Sequence, residues 1–442
     1  MSNNIYEEEN NILFNNFLND YFYKEFKKGN SILELELIIS PVCNLGCKYC
    51  YLNKYYSKSF PKSTFDELKT IENLKKILKW IDKNNFKVNL DIFSGELFAQ
   101  NIGYEVMDII YDWALTTKNK PLSIVIPTNF TFILSEEYTK KVEDILYKFK
   151  DIDIPVKLSA SFDGKYCEEN RPYVRDLDIK FEHNRDDIYY EKVFNFAKKY
   201  NTGFHPMIYS KKIEKWKDNF LWFQKQFKKY DIDWKNLYLL QVRNVEWNEK
   251  ELKDFYNFIY FLCEYSWNKF DGNSDDFIDF IFRGKAFNIL LQPFAKSKKG
   301  LPCAIQSELT IKVSDLKVFP CHRLLYPDFE IGEYIEDDEN ILEFKTKNAS
   351  LGLTIYGMHT NNQPMCNKCD INNICIGGCL GSQYEVNGSL FIPIQSVCKL
   401  NFNLILAIIK FCKDKKILNK LYANLSGKTL YQIKKVEELI ND

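Results

Sequence analysis

The chain has 442 residues, enough for two or three domains at roughly 150 residues each. It carries 60 Lys and Arg against 60 Asp and Glu, a net charge of zero, which argues against nucleic acid, whose binders carry a basic excess. Hydrophobic residues at 45% and aromatics at 16% are unlike a disordered chain.

The polar, acidic N-terminus, residues 1–10, is the reverse of a secretory signal. Residues 1–31 read as an N-terminal helical arm. Residues 32–39 (Ile-Leu-Glu-Leu-Glu-Leu-Ile-Ile) alternate and then turn apolar, as a strand with one covered face does. Residues 64–83 place Leu68, Ile71, Leu74, Ile77, Leu78 and Ile81 at three- and four-residue steps, an amphipathic helix. Further strand-like runs lie near 87–93, 121–127, 155–162, 203–209 and 236–244, and helical stretches near 103–117, 135–149, 187–201 and 211–230. Six strands separated by helices predict an α/β parallel sheet with helices outside. Six repeats are too few for a closed eight-stranded barrel, so a partial (β/α)6 TIM-type barrel is expected over residues 32–245, with its chemistry at the C-terminal strand ends.

Residues 246–300 read as a helical bridge and 301–400 as a small cysteine-rich domain. That domain has short strands (309–313, 317–319) and too little apolar material to hold together without metal sites. Residues 401–442 return to helix, a helical tail. The longest apolar stretch, 402–411, is interrupted by Asn403 and Lys410 and is short of the about 20 residues a bilayer span needs. A soluble cytosolic (cytoplasmic) protein with neither membrane nor nucleic acid as partner is the expectation.

Thirteen cysteines then need a role. Cytosolic thiols stay reduced, so clustered cysteines point to metal or redox chemistry rather than disulfides. Cys167, Cys263 and Cys412 are isolated and read as buried small hydrophobes. Cys43-x3-Cys47-x2-Cys50 presents three thiolates in the loop after the first strand. Four cysteines saturate a 4Fe-4S cluster, and three leave one iron open. A structural zinc site wants four ligands, and no His stands near to complete one, so the spacing favours a cluster. A second string, Cys366-x2-Cys369-x5-Cys375-x3-Cys379 followed by Cys398, with Cys303 and Cys321 upstream, suits a zinc ribbon as well as clusters.

The loop Cys43-Asn-Leu-Gly-Cys47-Lys-Tyr49-Cys50, after one strand and before five more βα units, resembles the radical S-adenosylmethionine (SAM) enzymes. The resemblance implies a 4Fe-4S cluster whose open iron binds SAM, and cleavage of SAM to a 5′-deoxyadenosyl radical that abstracts hydrogen from a substrate. It also implies a SAM-binding set. Glu96 in Ser94-Gly95-Glu96 would take the SAM ammonium; here Ser94 replaces the family's first glycine and Leu97 its usual proline. Asn129 follows Thr128 at the end of the third strand, and Ser161 opens Ser161-Phe162-Asp163-Gly164. Arg171 is the candidate for the SAM carboxylate, since a guanidinium fits a carboxylate bidentately, with Arg175 as competitor. Tyr49 in the loop and Gln241 on the sixth strand complete the cofactor-binding set, and Arg243 is a further residue placed to face the site.

The seven-cysteine order resembles the SPASM extension, implying two auxiliary Fe-S clusters of 4Fe-4S type. Cys366, Cys369, Cys375 and Cys398 would hold the distal one and Cys303, Cys321 and Cys379 the proximal one, whose fourth ligand is not identified. Leu316 stands where the family has a turn glycine. SPASM enzymes act on peptides and proteins, so the expected function is a peptide maturase: hydrogen abstraction and oxidative modification of a ribosomal peptide, as a thioether, C–C or C–O crosslink. The alternatives are a sulfatase-type, formylglycine-forming maturase and, in another class, a zinc-stabilised scaffold. The sulfatase-type relatives carry a catalytic aspartate after the second cysteine of the extension. His322 stands there instead, a candidate catalytic base near neutral pH or a hydrogen-bond partner of cluster sulfur, with Arg323 beside it as a candidate for a peptide carboxylate. Expected partners are a precursor peptide or protein and a small electron donor such as flavodoxin or ferredoxin. The 42 residues before Cys43 are too few for a leader-binding domain, so the leader is expected to bind elsewhere, to be delivered by a separate leader-binding protein, or to be absent from the substrate.

Overall fold

The computed structural model describes residues 11–14, 16, 32–52, 66–180, 185–284, 286–294, 305, 308–337, 341–357, 363–375 and 377–440. Cys303 and most of the N-terminal arm lie outside the described residues. In chain order the strands are β1 (Leu33–Ser40), β2 (Val88–Ser94), β3 (Ser123–Thr128), β4 (Val156–Ala160), β5 (Gly203–Phe204), β6 (Met207–Ile208), β7 (Leu240–Gln241), β8 (Glu308–Lys312), β9 (Lys317–Phe319), β10 (Gly332–Glu336) and β11 (Leu342–Thr346). The chain divides into two compact units: Met1–Ser161, Arg171–Thr202 and Ala304–Gly357 form the first, and Phe162–Asn170, Gly203–Cys303 and Met358–Asp442 the second.

In the first unit the strand order is β11-β10-β9-β8-β1-β2-β3-β4. Every residue of β1 except Glu34 is buried, as expected of a strand covered on both faces in the middle of a parallel sheet. It runs parallel to β2, with Leu35 beside Leu90 and Leu37 beside Ile92. The pairs β2–β3 and β3–β4 are also parallel, and helices α1 (Glu67–Asn84), α2 (Asn101–Thr116) and α3 (Glu136–Asp151) make the crossovers. Asp66 caps α1 by accepting from the Lys69 N–H, and Asn85 closes it in the left-handed region at φ 54°. The apolar stripe of α1 begins at Ile71, while Leu68 is 78% exposed. A step of three residues falls about 60° short of a full turn, so Leu68 drifts off the face that Leu74 and Ile77 bury.

The strand pair 309–313 and 317–319, read in sequence as part of the cysteine-rich domain, belongs to this sheet. Strand β8 lies parallel to β1, with Leu35 beside Leu309 and Leu37 beside Ile311; these apolar residues extend the buried layer of β1. Strands β8 and β9 are antiparallel, and Leu316 turns the hairpin at φ 57°, adopting the left-handed conformation for which glycine is the usual choice. Its side chain is only 7% exposed, so burial offsets a conformational cost of about 1–2 kcal/mol.

In the second unit the fifth and sixth of the six expected strands are present but short. The fifth strand is split into β5 and β6 by His205 and Pro206, where proline removes a ladder donor, and the sixth is the two-residue β7, parallel to β6. Helices α4 (Glu249–Lys269) and α5 (Gln395–Asp414) pack together in this unit, with Asn248 and Glu251 forming a capping box at the start of α4. By length and composition α5 is apolar enough to cross a membrane, which the run 402–411 alone did not suggest; 56% of that stretch is buried inside the protein, so its apolar face is core.

Candidate active site

Pro41 ends β1, and the cysteine loop that follows is pinned on two sides. On one, Gly46 N–H donates to Pro172 O (2.8 Å) and Val174 N–H to Asn44 O (3.0 Å). On the other, fully buried Asn44 donates to Thr131 Oγ1 at 2.9 Å and accepts from Asn129 Nδ2 at 2.8 Å. Thr131 returns the contact to Asn129 Oδ1 through N–H and Oγ1, at 2.9 and 2.7 Å. Phe130 between them is held at φ 64° and fully buried, a strained conformation of the kind found at functional sites. Sequence reading missed Asn44 and Thr131; the only available signal was their adjacency to Cys43 and Asn129.

Cys43 Sγ accepts from the Leu45 N–H at 3.4 Å and Asn129 Nδ2 at 3.7 Å. Burial pushes the Cys43 thiol far up, and the neighbouring Cys47, Glu96 and Cys50 add to this. Thiols so placed ionise only with a cation among them, and N–H donors aimed at sulfur are what a cluster ligand uses, so the donor set fits an iron–sulfur group. Among the described residues no three His, Cys, Asp or Glu side chains converge as ligands of a single metal ion.

Glu96 stands beside this loop because Gly95 lets it. A Cβ on Gly95 would lie 2.2 Å from Val42 O and 2.4 Å from Pro41 O. Gly95 N–H donates to Ser40 O (2.7 Å) and Glu96 N–H to Val42 O (2.9 Å), joining the end of β2 to the residues just before Cys43. Ser94, in place of glycine, donates through Oγ to Ser40 O at 2.8 Å. Gln100, also missed in sequence, accepts from Ser40 Oγ at 2.8 Å and donates to Val42 O at 3.0 Å and Glu96 O at 2.8 Å. The Glu96 carboxylate, 1% exposed, accepts from Thr128 Oγ1 (2.7 Å), Asn129 N–H (2.6 Å) and Phe98 N–H (3.3 Å). Burial pushes it up to about 7, although these donors and Arg171 pull it down. A buried acid short of positive charge is suited to an arriving cation.

Arg171 is 5% exposed and donates through Nη1 to Tyr49 Oη at 3.2 Å, so the first unit brings Tyr49, Glu96, Asn129 and Arg171 to the cysteine loop. Ser161 continues from β4, its N–H donating to Thr128 O at 2.8 Å. Gln241 lies in the second unit, where it is buried and donates to Gln292 Oε1 at 3.2 Å.

His322 does not stand alone. Its Nδ1 meets Glu36 Oε1 at 2.5 Å and its backbone N–H donates to Glu36 Oε2 at 3.1 Å. Burial lowers the imidazole, but the Glu36 carboxylate reverses this and holds it above its ordinary range. The ring stacks on Phe93 (4.6 Å, 9°) and lies 5.6 Å from the Tyr51 ring, and the Arg323 guanidinium sits over the other ring neighbour, Tyr51, at 4.7 Å. Glu36 was not a candidate in the sequence.

In the second unit Cys366, Cys369, Cys375 and Cys398 line one cavity of about 960 Å3, with Leu252 and Val436 among the apolar walls. Burial, then the neighbouring thiols, pushes Cys398 up to about 12 and Cys366 up to about 11. Cys375 Sγ accepts from the Gly377 N–H (3.3 Å) and Asn401 Nδ2 (3.4 Å). Cys379 sits at the N-cap of the helix Leu380–Asn387, while Cys321 belongs to the first unit.

No family model matches the chain. Over 238 residues it is 25% identical to the radical SAM cyclopropyl synthase TigE of Paramaledivibacter caminithermalis, a match covering 45% of this chain and 48% of the relative. The likeness is to the radical SAM enzymes. The chain thus spans about half the length of the curated relative it matches. The fold is that of native anSMEcpe with bound AdoMet (TM-score 0.57, 18% identity, 87% of this chain and 100% of that chain). It also matches native anSMEcpe with bound AdoMet and the Cp18Cys peptide (TM-score 0.55, 19% identity, 87% and 99%).

Proposed function

We propose that the chain is a radical SAM enzyme that modifies a peptide. The observation that carries this reading is the buried Glu96 carboxylate, hydrogen-bonded at its backbone to the loop of Cys43, Cys47 and Cys50. Those three cysteines would hold a 4Fe-4S cluster. Glu96 would accept the SAM ammonium, Arg171 the SAM carboxylate, and Tyr49, Asn129 and Ser161 would orient the rest. The chemistry supplied by bound cluster and SAM is reductive cleavage to a 5′-deoxyadenosyl radical and hydrogen abstraction from a peptide residue. The protein's part is to fix both groups and exclude water from them.

Cys366, Cys369, Cys375 and Cys398 would hold an auxiliary 4Fe-4S cluster, its potential set by the N–H donors on Cys375 and by partial exposure. A small donor such as flavodoxin or ferredoxin would supply electrons. The similarity to a cyclopropyl synthase favours carbon–carbon bond formation among the oxidative outcomes, and a neighbour with a bound peptide supports a peptide substrate. His322 is the residue assigned to proton transfer with that substrate. Reconstituted anaerobically and reduced with dithionite, the chain should convert SAM to 5′-deoxyadenosine, detected by mass spectrometry. Failure to do so with a fully loaded cluster would overturn the reading.

A further inference from the structure

The inner face of β1 carries a buried acid, Glu36, only 3% exposed. An unneutralised carboxylate there is costly, and its two oxygens are fully engaged. Oε1 meets His322 Nδ1 at 2.5 Å, and Oε2 accepts from the His322 backbone N–H at 3.1 Å and Thr310 Oγ1 at 2.7 Å. Backbone and ring of one residue are thus gripped by a single carboxylate 286 positions away in sequence. A carboxylate at Nδ1 takes the Nδ1 proton as its hydrogen bond and fixes the imidazole in that tautomer, as in catalytic carboxylate–histidine pairs.

The ring's remaining surroundings are residues next in the chain to the cysteine loop and to the Ser94-Gly95-Glu96 segment. It lies flat on Phe93, which immediately precedes Ser94-Gly95-Glu96, and near Tyr51, which immediately follows Cys50. Phe93, Tyr51 and Cys50 pack on one apolar cluster with Ile38, Leu52, Phe319 and Leu325. With Nδ1 held by Glu36 and one face of the ring on Phe93, Nε2 is the ring nitrogen left for a substrate, and the His322 side chain is 33% exposed.

We propose that Glu36 is a positioning residue: through its grip on Nδ1 and the backbone N–H it fixes the tautomer and orientation of His322, so that Nε2 faces the bound peptide. This rests on the radical SAM reading for the identity of the substrate, but the contact itself does not.

Two measurements test it. The first uses the full chain labelled with 15N-histidine, which contains four histidines; His322→Gln identifies the signal. Wild type should show a slowly exchanging, far-downfield proton on His322 Nδ1. That proton should vanish in Glu36→Leu and persist, shifted upfield, in Glu36→Gln, which retains one acceptor. Its absence from wild type, or its survival in Glu36→Leu, would overturn the proposal.

The second uses the reconstituted enzyme with SAM, dithionite and a synthetic peptide selected, by mass spectrometry of a peptide library, as one that the wild-type enzyme modifies. Glu36→Leu should keep wild-type iron content and 5′-deoxyadenosine formation but lower modified peptide per 5′-deoxyadenosine by about 100-fold. Glu36→Gln should recover part of this, and the double variant with His322→Gln should be no worse than His322→Gln alone. An unchanged ratio in Glu36→Leu would overturn the positioning role, as would loss of iron, which would make Glu36 a brace for the Cys321 segment only. If wild type makes no 5′-deoxyadenosine, the radical SAM reading fails while the histidine spectrum still decides the contact.

Discussion

Asn129 Nδ2 donates to Asn44 Oδ1 at 2.8 Å across 85 residues of sequence. Asn129 also donates from its backbone to Glu96 and from its amide to Cys43, so one residue at the end of β3 indexes both the cysteine loop and the acid beside it. A buried network of this kind is stabilising only when every member is satisfied.

Asn44→Ala removes an acceptor from Asn129 and a donor from Thr131 inside a sealed pocket. Stability should fall by about 1–3 kcal/mol, measured by urea unfolding of the metal-free chain. Iron uptake by a variant lacking the auxiliary cysteines should also slow, because the loop then samples more conformations.

Gly95→Ala forces a methyl group against the carbonyl oxygens of Val42 and Pro41. Both are backbone and neither can rotate away, so either the loop or the end of β2 must shift. A loss of about 2 kcal/mol or more is expected, together with weakened SAM binding by equilibrium dialysis.

Glu96→Gln keeps the shape of the side chain and removes its charge. An ammonium would then meet a neutral amide whose NH2 competes with the donors of Thr128 and Asn129. The dissociation constant for SAM should rise at least about tenfold, a difference of about 1.4 kcal/mol. Equal binding by the variant would remove Glu96 from the site.

Asp91 lies beside Glu36 in the β1–β2 register. Burial, then the Glu36 charge, pushes it up from 3.8 to about 7. Between these values the folded chain binds more protons than the unfolded one, so stability falls as pH rises from about 4 to 7. Asp91→Asn should flatten that part of the profile. It should be more stable than wild type at pH 8 by about 1–3 kcal/mol and no different in this respect below pH 4, read from thermal melts across the range.

Cys369 and Cys398 are exposed, whereas Cys263 and Cys412 are buried. After removal of metal by chelator, iodoacetamide should label Cys369 and Cys398, the latter slowly because its thiol is pushed up to about 12. Reconstitution with iron and sulfide should protect both, and Cys263 and Cys412 should stay unlabelled throughout, as peptide mass mapping would show.

Local chemistry was legible in the amino-acid order. The three cysteines of the loop are seven residues apart at most, and Glu96 stands two residues past the end of β2, so each could be named from neighbours in the chain. The turn at Leu316 was legible as a departure from glycine, although only the backbone showed that leucine itself takes the left-handed conformation. The strands expected at residues 203–209 and 236–244 are present, but Pro206 and short pairing cut them to two-residue strands.

By itself, then, the sequence determined which cysteines stand together, which acid stands near the first of them, and that parallel βα units carry both. Only the tertiary structure decided that β8 joins β1, that Asn44, Gln100 and Thr131 brace the loop, and that Glu36 grips His322. Periodicity reports which side of a strand is buried, because that depends on each residue's own polarity. It does not report which strand lies alongside, because register is a property of two segments, and burial of a carboxylate is tolerated only when a distant partner arrives to satisfy it.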